Sequence, residues 1–257
     1  MNKLDFNHRP EFGPALADMV DRAIIDGKRK EPVRKYLGGS LIGRECDREI
    51  QFMFFHTPPD PGKDFPPHIL RTFELGHEFE KILFKYLRQC GFEILTHHGD
   101  GRQIGFTQLN ARFKGHCDGI VISGPEKVGR KSMRYPQLLE IKTANDSNYK
   151  KYEYRGVQKA KPVYYAQMAL YLAYMDEHFP GISDGGALFA AVNKNTSELY
   201  FEHVPFDVQN AQEMSDRAVH ILAACDGGDL LPRVAAKPDD FRCTFCSYSD
   251  RCWSFDY

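Results

Sequence analysis

A buried strand that carries two charges is predicted by the stretch Leu138-Leu139-Glu140-Ile141-Lys142-Thr143. Alternate side chains of a strand share a face, so Glu140 and Lys142 point together while Leu139 and Ile141 enter the opposite, apolar layer. The pattern therefore places a carboxylate beside an ammonium group. Taken alone, this arrangement is ordinarily an exposed ion pair on a half-buried strand.

A second acidic residue lies upstream in a similar pattern. Asp118 stands between small and turn-tolerant residues in the strand-like stretch 113–121, FKGHCDGIV. If the two strands are neighbours, about 5 Å apart, Asp118 and Glu140 can bind one hard cation. Bound Mg²⁺ or Mn²⁺ polarises a phosphodiester and acidifies a water molecule, and Lys142 can orient that water or stabilise developing charge. The three residues therefore suit metal-dependent phosphodiester hydrolysis.

Two further residues have both a structural and a functional explanation. Gln167 is the only amide in the apolar helical stretch 163–173, VYYAQMALYLA, and Tyr171 lies one turn later on the same face. A buried amide needs a partner, so Gln167 is either a satisfied core residue beside a core tyrosine or part of a site. His77 falls in the middle of another predicted helix, where a lone histidine is usually an ordinary surface or core residue.

The order of predicted elements indicates the fold class. Helical spacing of apolar residues is found at 40–57, 68–89, 162–176 and 208–225. Strand patterns are found at 92–95, 103–106, 111–122, 138–143, 187–193 and 198–204, with a basic loop at 123–137. This order predicts an α/β fold with a mixed central β-sheet flanked by helices. We expect a linker-like N-terminal arm over residues 1–36 and one domain over residues 37–257.

Composition excludes a strong overall electrostatic field. Thirty-four basic side chains against thirty-five acidic ones leave a formal charge of -1 on 257 residues. Any site for a polyanion must therefore be a local patch. Residues 1–10 lack the apolar core of a signal peptide, and no apolar stretch is long enough to span a bilayer. We therefore expect a cytoplasmic protein that contacts no membrane.

Four motifs, in this order, resemble the successive motifs of RecB-type nucleases of the PD-(D/E)XK superfamily. They are Gly76-His77, Gly115-x-x-Asp118-Gly119, Glu140-Ile141-Lys142 and Gln167-x-x-x-Tyr171. The resemblance extends over about residues 40–257, and it is specific because all four motifs fall on suitable elements. One departure is that Cys117 stands where the superfamily is named for a proline.

The resemblance implies a restriction-endonuclease-like core with a divalent metal site. The metal, Mg²⁺ or Mn²⁺, would be held by His77, Asp118, Glu140 and the backbone carbonyl of Ile141. The implied catalytic set consists of Asp118, Glu140, Lys142, Gln167 and Tyr171. In this set Lys142 is the catalytic lysine, and the last two residues support the site and the DNA near it.

Three of the seven cysteines lie within ten residues of one another, in the pattern Cys243-x2-Cys246-x5-Cys252. With Cys46 far upstream, they resemble the four thiolates that hold a [4Fe-4S] cluster in AddB-like and CRISPR-associated RecB-like exonucleases. Asp47 follows Cys46 where relatives commonly have proline. The resemblance implies a cluster that joins the N- and C-terminal segments of the domain. Structural Zn²⁺ is the alternative, although zinc ribbons usually supply their ligands as two local pairs.

The other three cysteines, Cys90, Cys117 and Cys225, are expected to be small buried residues. An odd number of cysteines in a chain without an export signal makes a disulfide framework an unsuitable explanation.

Two basic segments are candidates for contact with DNA. They carry Lys131 and Arg134 before the central strand, and Lys150, Lys151, Tyr152 and Arg155 after it. Basic residues interleaved with aromatic ones suit single-stranded DNA, because cations bind phosphates and rings stack on bases. A solvated loop and a helix face with packed tyrosines explain the same residues equally well.

The sequence therefore predicts a metal-dependent deoxyribonuclease, an exonuclease on single strands or frayed ends, in DNA recombination or repair. Two alternatives stay open. The first is a non-catalytic DNA-binding module of the same fold, against which the intact acidic pair, Lys142 and Gln167 argue. The second is a subunit that is active only with a protein partner in a recombination or CRISPR-adaptation complex.

Overall fold

The computed structural model describes residues 11–255. Residues 1–10, which were expected to start the N-terminal arm without a signal sequence, lie outside the described residues, as do residues 256–257. The helices in chain order are α1 (Phe12–Arg29), α2 (Asp47–Phe54), α3 (Pro67–Gln89), α4 (Asp146–Ala160), α5 (Pro162–Met175), α6 (Ile182–Gly185), α7 (Val208–Gly227), α8 (Phe241–Thr244) and α9 (Ser249–Ser254). None of the helices in the described part of the chain is both long and apolar enough to cross a membrane.

The strands form a central sheet and two smaller sheets. In chain order they are β1 (Leu37–Gly38), β2 (Glu93–Leu95), β3 (Gly105–Gln108), β4 (Phe113–His116), β5 (Gly119–Ser123), β6 (Lys127–Val128), β7 (Lys131–Ser132), β8 (Gln137–Ala144), β9 (Ala187–Asn193) and β10 (Leu199–Val204). The five-stranded sheet has the order β10-β9-β8-β5-β2, and the smaller sheets are β1-β4-β3 and β6-β7. Strand β8 pairs with β9 in parallel and with β5 in antiparallel. The predicted α/β class with a mixed central sheet between helices is confirmed.

Helices cover both faces of β8. Leu139 and Ile141 belong to a cluster with apolar residues of α3. On the other face, Leu138 joins the larger core together with Met168 of α5. Strands buried on both faces consist of nearly continuous apolar runs, which is what the sequence of β8 contains. The side chain of Glu140 shares the face of Leu138 and therefore enters the layer beneath α5.

Several short elements differ from the prediction. The segment 40–57 holds a 3-10 turn (Gly39–Leu41) and the short helix α2 in place of one helix. The strand predicted over residues 111–122 is divided into β4 and β5, which belong to different sheets. The division falls at Cys117 and Asp118, where the chain passes from one sheet to the other. The basic loop 123–137 contains the β6–β7 hairpin, and β3 begins two residues later than predicted.

The N-terminal arm is not linker-like over its described part, because it contains the 18-residue helix α1. No residue of α1 is buried. An ion pair between Asp21 and Arg71 attaches α1 to α3. Apolar residues of α1, such as Val20 and Ile24, line a cavity together with Leu70 of α3.

A close approach of three elements depends on Gly115 of β4. A Cβ atom there would lie 2.4 Å from Cε1 of Phe106 and 2.6 Å from Cζ of Tyr171. The Gly115→Ala variant is therefore expected to lose roughly 1–3 kcal/mol of unfolding free energy, because two buried rings must move. Gly99→Ala is the matched control, since a Cβ at Gly99 meets nothing within 4 Å. Denaturant unfolding that gave the two variants equal stability would contradict this packing.

Candidate active site

The carboxylate of Glu140 lies inside the protein. Its side chain is fully buried. One oxygen, Oε1, accepts a hydrogen bond of 2.8 Å from Nε2 of Gln167 and also forms an ion pair with Nζ of Lys142. The other oxygen, Oε2, has no hydrogen-bond partner among the described residues. Burial raises the pKa of Glu140 to about 7; the charge of Lys142 opposes this shift and that of Asp118 adds to it.

The pairing of β5 with β8 brings Asp118 to the same place. Gly119 pairs with Leu139 in antiparallel register, so Asp118 and Glu140 stand opposite one another at the next position. Oδ2 of Asp118 accepts a hydrogen bond of 2.6 Å from the backbone N–H of Ile141. Two carboxylates from adjoining extended segments therefore converge, as the metal hypothesis requires.

Lys142 lies at the border between the buried layer and solvent. Its side chain is 24% exposed and its Nζ atom lies 5.2 Å from the ring centroid of Tyr164. Burial acts to lower the pKa of Lys142, but the negative charges of Glu140 and Asp118 outweigh it and raise that pKa above its ordinary value. The side chain is therefore a cation at neutral pH.

Helix α3 adds His77 and Glu80 to the site. Nδ1 of His77 lies 3.5 Å from Oε2 of Glu80, and the His77 side chain is 72% exposed. Burial raises the pKa of Glu80, and the charge of Asp118 raises it further, while His77 and Lys142 lower it. Glu80 is therefore close enough to these three groups to interact with them. The sequence analysis did not assign Glu80 to the site, although its position three residues after His77 could have placed both on one helix face.

Two cavities meet at these residues. The first, of about 540 Å³, is lined by His77 and Glu80 of α3, Lys142 of β8 and Tyr164 of α5. The second, of about 310 Å³, shares His77 and Glu80 and is lined by Asp118 as well. The charged groups are therefore accessible along a cleft that extends to both sides of them.

Gln167 and Tyr171 lie in different surroundings. Gln167 is buried and donates to Glu140, so it is a satisfied core amide whose partner is a site residue. Tyr171 is buried too, and its ring packs edge-on against Phe106 at a centroid distance of 5.2 Å. Burial and the nearby charge of Glu140 raise the pKa of Tyr171. The structure therefore places Tyr171 in the core and away from any surface that DNA could reach.

The segments predicted to contact DNA are only partly suited to it. Tyr152 is buried, its ring stacks on Tyr200 at 5.9 Å, and it also lines the first cavity. Lys150 donates a hydrogen bond of 2.7 Å to Asp146. The remaining residues, Lys131, Arg134, Lys151 and Arg155, are exposed. None of these four lines either of the two cavities at the acidic residues.

The carboxylate oxygens at this site are of the kind that binds a divalent metal ion. Between residues 11 and 255, no three histidine, cysteine, aspartate or glutamate side chains lie in the arrangement of a formed metal site. The donor chemistry nevertheless fits, because a buried carboxylate oxygen without a partner, such as Oε2 of Glu140, is costly unless it binds something. Asp118 and Glu80 provide further carboxylate oxygens, the ligands preferred by Mg²⁺ and Mn²⁺.

A separate cavity gathers four cysteines. Cys46, immediately before α2, and Cys243, Cys246 and Cys252 of the C-terminal segment all line it. Burial raises the pKa of Cys246 to about 11; the N–H of Tyr248 donates to its sulfur at 3.5 Å and opposes that shift. Four sulfur donors around one cavity fit the donor set of an iron-sulfur cluster or of zinc.

The other cysteines were predicted to be buried. This prediction is confirmed for Cys117 and Cys225. It is wrong for Cys90, which is exposed directly after the last residue of α3.

Comparison with known proteins identifies one family and similar folds. A profile of the PD-(D/E)XK nuclease superfamily matches residues 61–253. No curated protein matches the sequence. The crystal structure of SSO0001 superposes with a TM-score of 0.52 at 12% identity, covering 94% of this chain and 97% of that chain. At this identity the likeness concerns the fold alone.

Two structures of one enzyme give lower TM-scores. The alkaline exonuclease LHK-Exo from Laribacter hongkongensis gives a TM-score of 0.45 at 15% identity, covering 76% of this chain and 89% of that chain. Its complex with dAMP gives a TM-score of 0.48 at 14% identity, covering 82% and 93%.

The Lys142→Met variant is expected to be destabilised, because it leaves Glu140 buried without a counter-charge. Breaking a buried ion pair in this way costs about 3–5 kcal/mol. The loss of unfolding free energy should grow from pH 5 to pH 8. Burial raises the folded-state pKa of Glu140 above its unfolded value, so the folded variant tolerates the protonated carboxyl and is destabilised once the carboxyl ionises. Denaturant unfolding in EDTA measures the effect.

Lys150→Met is the matched control for this prediction. The ion pair between Lys150 and Asp146 is exposed, so this variant should unfold like the parent protein. If Lys142→Met were as stable as Lys150→Met at pH 8, the buried ion pair described here would be wrong.

Proposed function

Because this chain belongs to the PD-(D/E)XK nuclease superfamily, we propose that it is a RecB-like, divalent-metal-dependent DNA nuclease. The observation that carries the proposal is the convergence of Asp118 and Glu140 from β5 and β8, with Lys142 on the same face as Glu140. Two acids and an amine around one point are the groups that phosphodiester hydrolysis needs.

The metal ligands we propose are Asp118, Glu140, the backbone carbonyl of Ile141, and His77. A divalent ion bound there, Mg²⁺ or Mn²⁺, would polarise the phosphate and lower the pKa of a bound water molecule. The buried, unpaired Oε2 atom of Glu140 supports this assignment.

The other side chains orient these groups. Gln167 holds Oε1 of Glu140, which fixes the orientation of the carboxylate. Lys142 is held by the same oxygen and lines the first cavity, where its charge can stabilise negative charge that develops on the phosphate. Glu80 contacts His77 and acts as a positioning residue for it. Tyr171 supports this set only from within the core.

We propose that the substrate is a single strand or a frayed end of DNA, and that the protein removes nucleotides as an exonuclease in recombination or repair. The charged groups lie along a cleft between α3 on one side and α5 on the other. A cleft formed by two helices admits one extended strand more easily than a duplex, and aromatic side chains such as Tyr164 can stack on its bases.

We further propose that Cys46, Cys243, Cys246 and Cys252 hold a [4Fe-4S] cluster, with structural Zn²⁺ as the alternative. The support is that all four line one cavity although the first is nearly 200 residues away from the others in sequence. The N–H of Tyr248 and the guanidinium of Arg48 donate to two of the sulfurs, at 3.5 and 3.7 Å, and such donors stabilise thiolate ligands.

The nuclease proposal is tested with labelled single-stranded DNA and Mn²⁺. Asp118→Asn and Glu140→Gln keep the shape of the side chains and should each lower the cleavage rate by at least roughly 100-fold, because a carboxylate ligand is lost. Asp184→Asn, on the exposed surface of α6, is the control and should cleave like the parent protein.

Each result decides between stated alternatives. Cleavage that survives both substitutions would remove the proposed site. A folded parent protein that binds DNA and never cleaves it would indicate a DNA-binding module. Cleavage only after addition of a recombination or CRISPR-adaptation protein would indicate a subunit of a larger complex.

The cluster proposal is tested by metal analysis and visible absorption of protein purified without oxygen. The parent protein is expected to be brown and to contain iron, and Cys246→Ser should lose iron and melt at a lower temperature. Cys90→Ser is the matched control, because Cys90 is exposed and lies outside the cavity. Zinc in place of iron would establish the alternative, and a parent protein with neither metal would refute both.

A further inference from the structure

Basic side chains line the second cavity beside the acidic residues. The second cavity is lined by Asp118 and Glu80 and also by Arg88 of α3 and His97. The same space therefore holds Asp118 and a cation, Arg88, that can bind a phosphate.

A third cavity adjoins the second at His97. It has a volume of about 600 Å³, shares His97 with the second cavity, and is also lined by His98, Arg102 and His178. Three of these residues belong to the connection between β2 and β3, residues 96–104, which we call the β2–β3 connection. The two cavities together therefore form a path from the acids to the β2–β3 connection with basic side chains along it.

The cations of this path are held in place. Nη2 of Arg88 donates a hydrogen bond of 3.1 Å to the carbonyl of Ile94, and its guanidinium lies 5.9 Å from the ring centroid of Phe84. Since the acceptor is a neutral carbonyl, this hydrogen bond does not neutralise the guanidinium of Arg88, whose positive charge can still bind a phosphate. Arg side chains that are fixed in this way lose less entropy when they bind a phosphate.

The β2–β3 connection is a tight turn. The N–H of His98 donates to the carbonyl of Arg102 at 2.8 Å, and the N–H of Gly101 donates to the carbonyl of His98 at 2.9 Å. Nε of Arg102 lies 2.6 Å from Oδ2 of Asp100, so this cation is partly neutralised and also held in place. These contacts fix the backbone of the turn and the position of Arg102 within it.

We propose that the substrate strand runs from the first cavity over the acidic residues and along this path, with its phosphates bound by Arg88 and Arg102. This inference rests on the proposed function and adds the course of the strand. It differs from the sequence-based prediction, in which the DNA contacts were Lys131 and Arg134 of the β6–β7 region and basic residues of α4. Those exposed side chains line none of the three cavities, whereas Arg88 and Arg102 do.

The test measures binding of fluorescein-labelled oligothymidylate by anisotropy in EDTA, at several salt concentrations. The variant Arg88→Gln keeps an N–H donor for the carbonyl of Ile94 and removes the charge. If one phosphate contact is lost, the slope of log K against log salt should fall by about 0.7, and affinity at about 100 mM salt should fall about fivefold. The double variant Asp100→Ala/Arg102→Ala leaves the net charge of the turn unchanged and should give a similar change.

Two further variants make the result specific. Arg251→Ala, an exposed arginine on α9, is the matched control and should keep the slope of the parent protein. Lys131→Ala tests the course predicted from the sequence. The proposal is overturned if Arg88→Gln and the double variant keep the parental slope, or if Lys131→Ala alone lowers it.

Cleavage of the same oligonucleotide with Mn²⁺ is measured in parallel, which separates this inference from the proposed function. Changed slopes without any cleavage would support the strand course and refute the nuclease. Cleavage with unchanged slopes would support the nuclease and refute the strand course. A parent protein that neither binds nor cleaves the oligonucleotide would overturn both.

Discussion

The burial of the Glu140 carboxylate is the constraint on which the site depends. An ionised group beneath α5 is tolerated only with a counter-charge and a hydrogen-bond donor, and Lys142 and Gln167 provide them. Gln167 must therefore stand in an otherwise apolar helix, and β5 must pair with β8 in the register that brings Asp118 alongside. A well-packed apolar residue at position 140 would often stabilise such a core as well or better, so the charge is best explained by chemistry.

The sequence predicted correctly those structural features that the periodicity of apolar residues alone determines. The alternation in β8 fixes which face Glu140 and Lys142 share, and the long helices α3, α5 and α7 begin and end near the predicted residues. Tertiary packing decides the rest. Tyr171 and Tyr152 are of a residue type that can stack on bases, but both are buried. The missing side chain at Gly115 leaves room for the ring of Tyr171, and the ring of Tyr152 packs on Tyr200. No local pattern contains that information.

The same distinction applies within the site. Sequence reasoning found His77 but not Glu80, since the rotation of α3 is set by apolar contacts of Leu83 and Leu87 with the sheet. The four cysteines were recognised by spacing, whereas the contacts that bring them together are distant ones. Asp60 accepts a hydrogen bond of 2.6 Å from the N–H of Asp250, and so links the segment after α2 to α9 without any metal. A cluster would therefore reinforce a frame that other contacts already assemble.

In the proposed nuclease, the charges of the cleft would couple metal binding to substrate binding. Asp118, Glu140 and Glu80 together repel a phosphate, and the single counter-charge of Lys142 is already engaged with Glu140. A phosphate would occupy this point only with a divalent cation that reverses the local potential, and the phosphate would in turn provide oxygen ligands for that cation. Each ligand must then raise the affinity for the other by the same factor. The proposed contacts at Arg88 and Arg102 would act differently, because their charge would attract the rest of the strand with or without the metal.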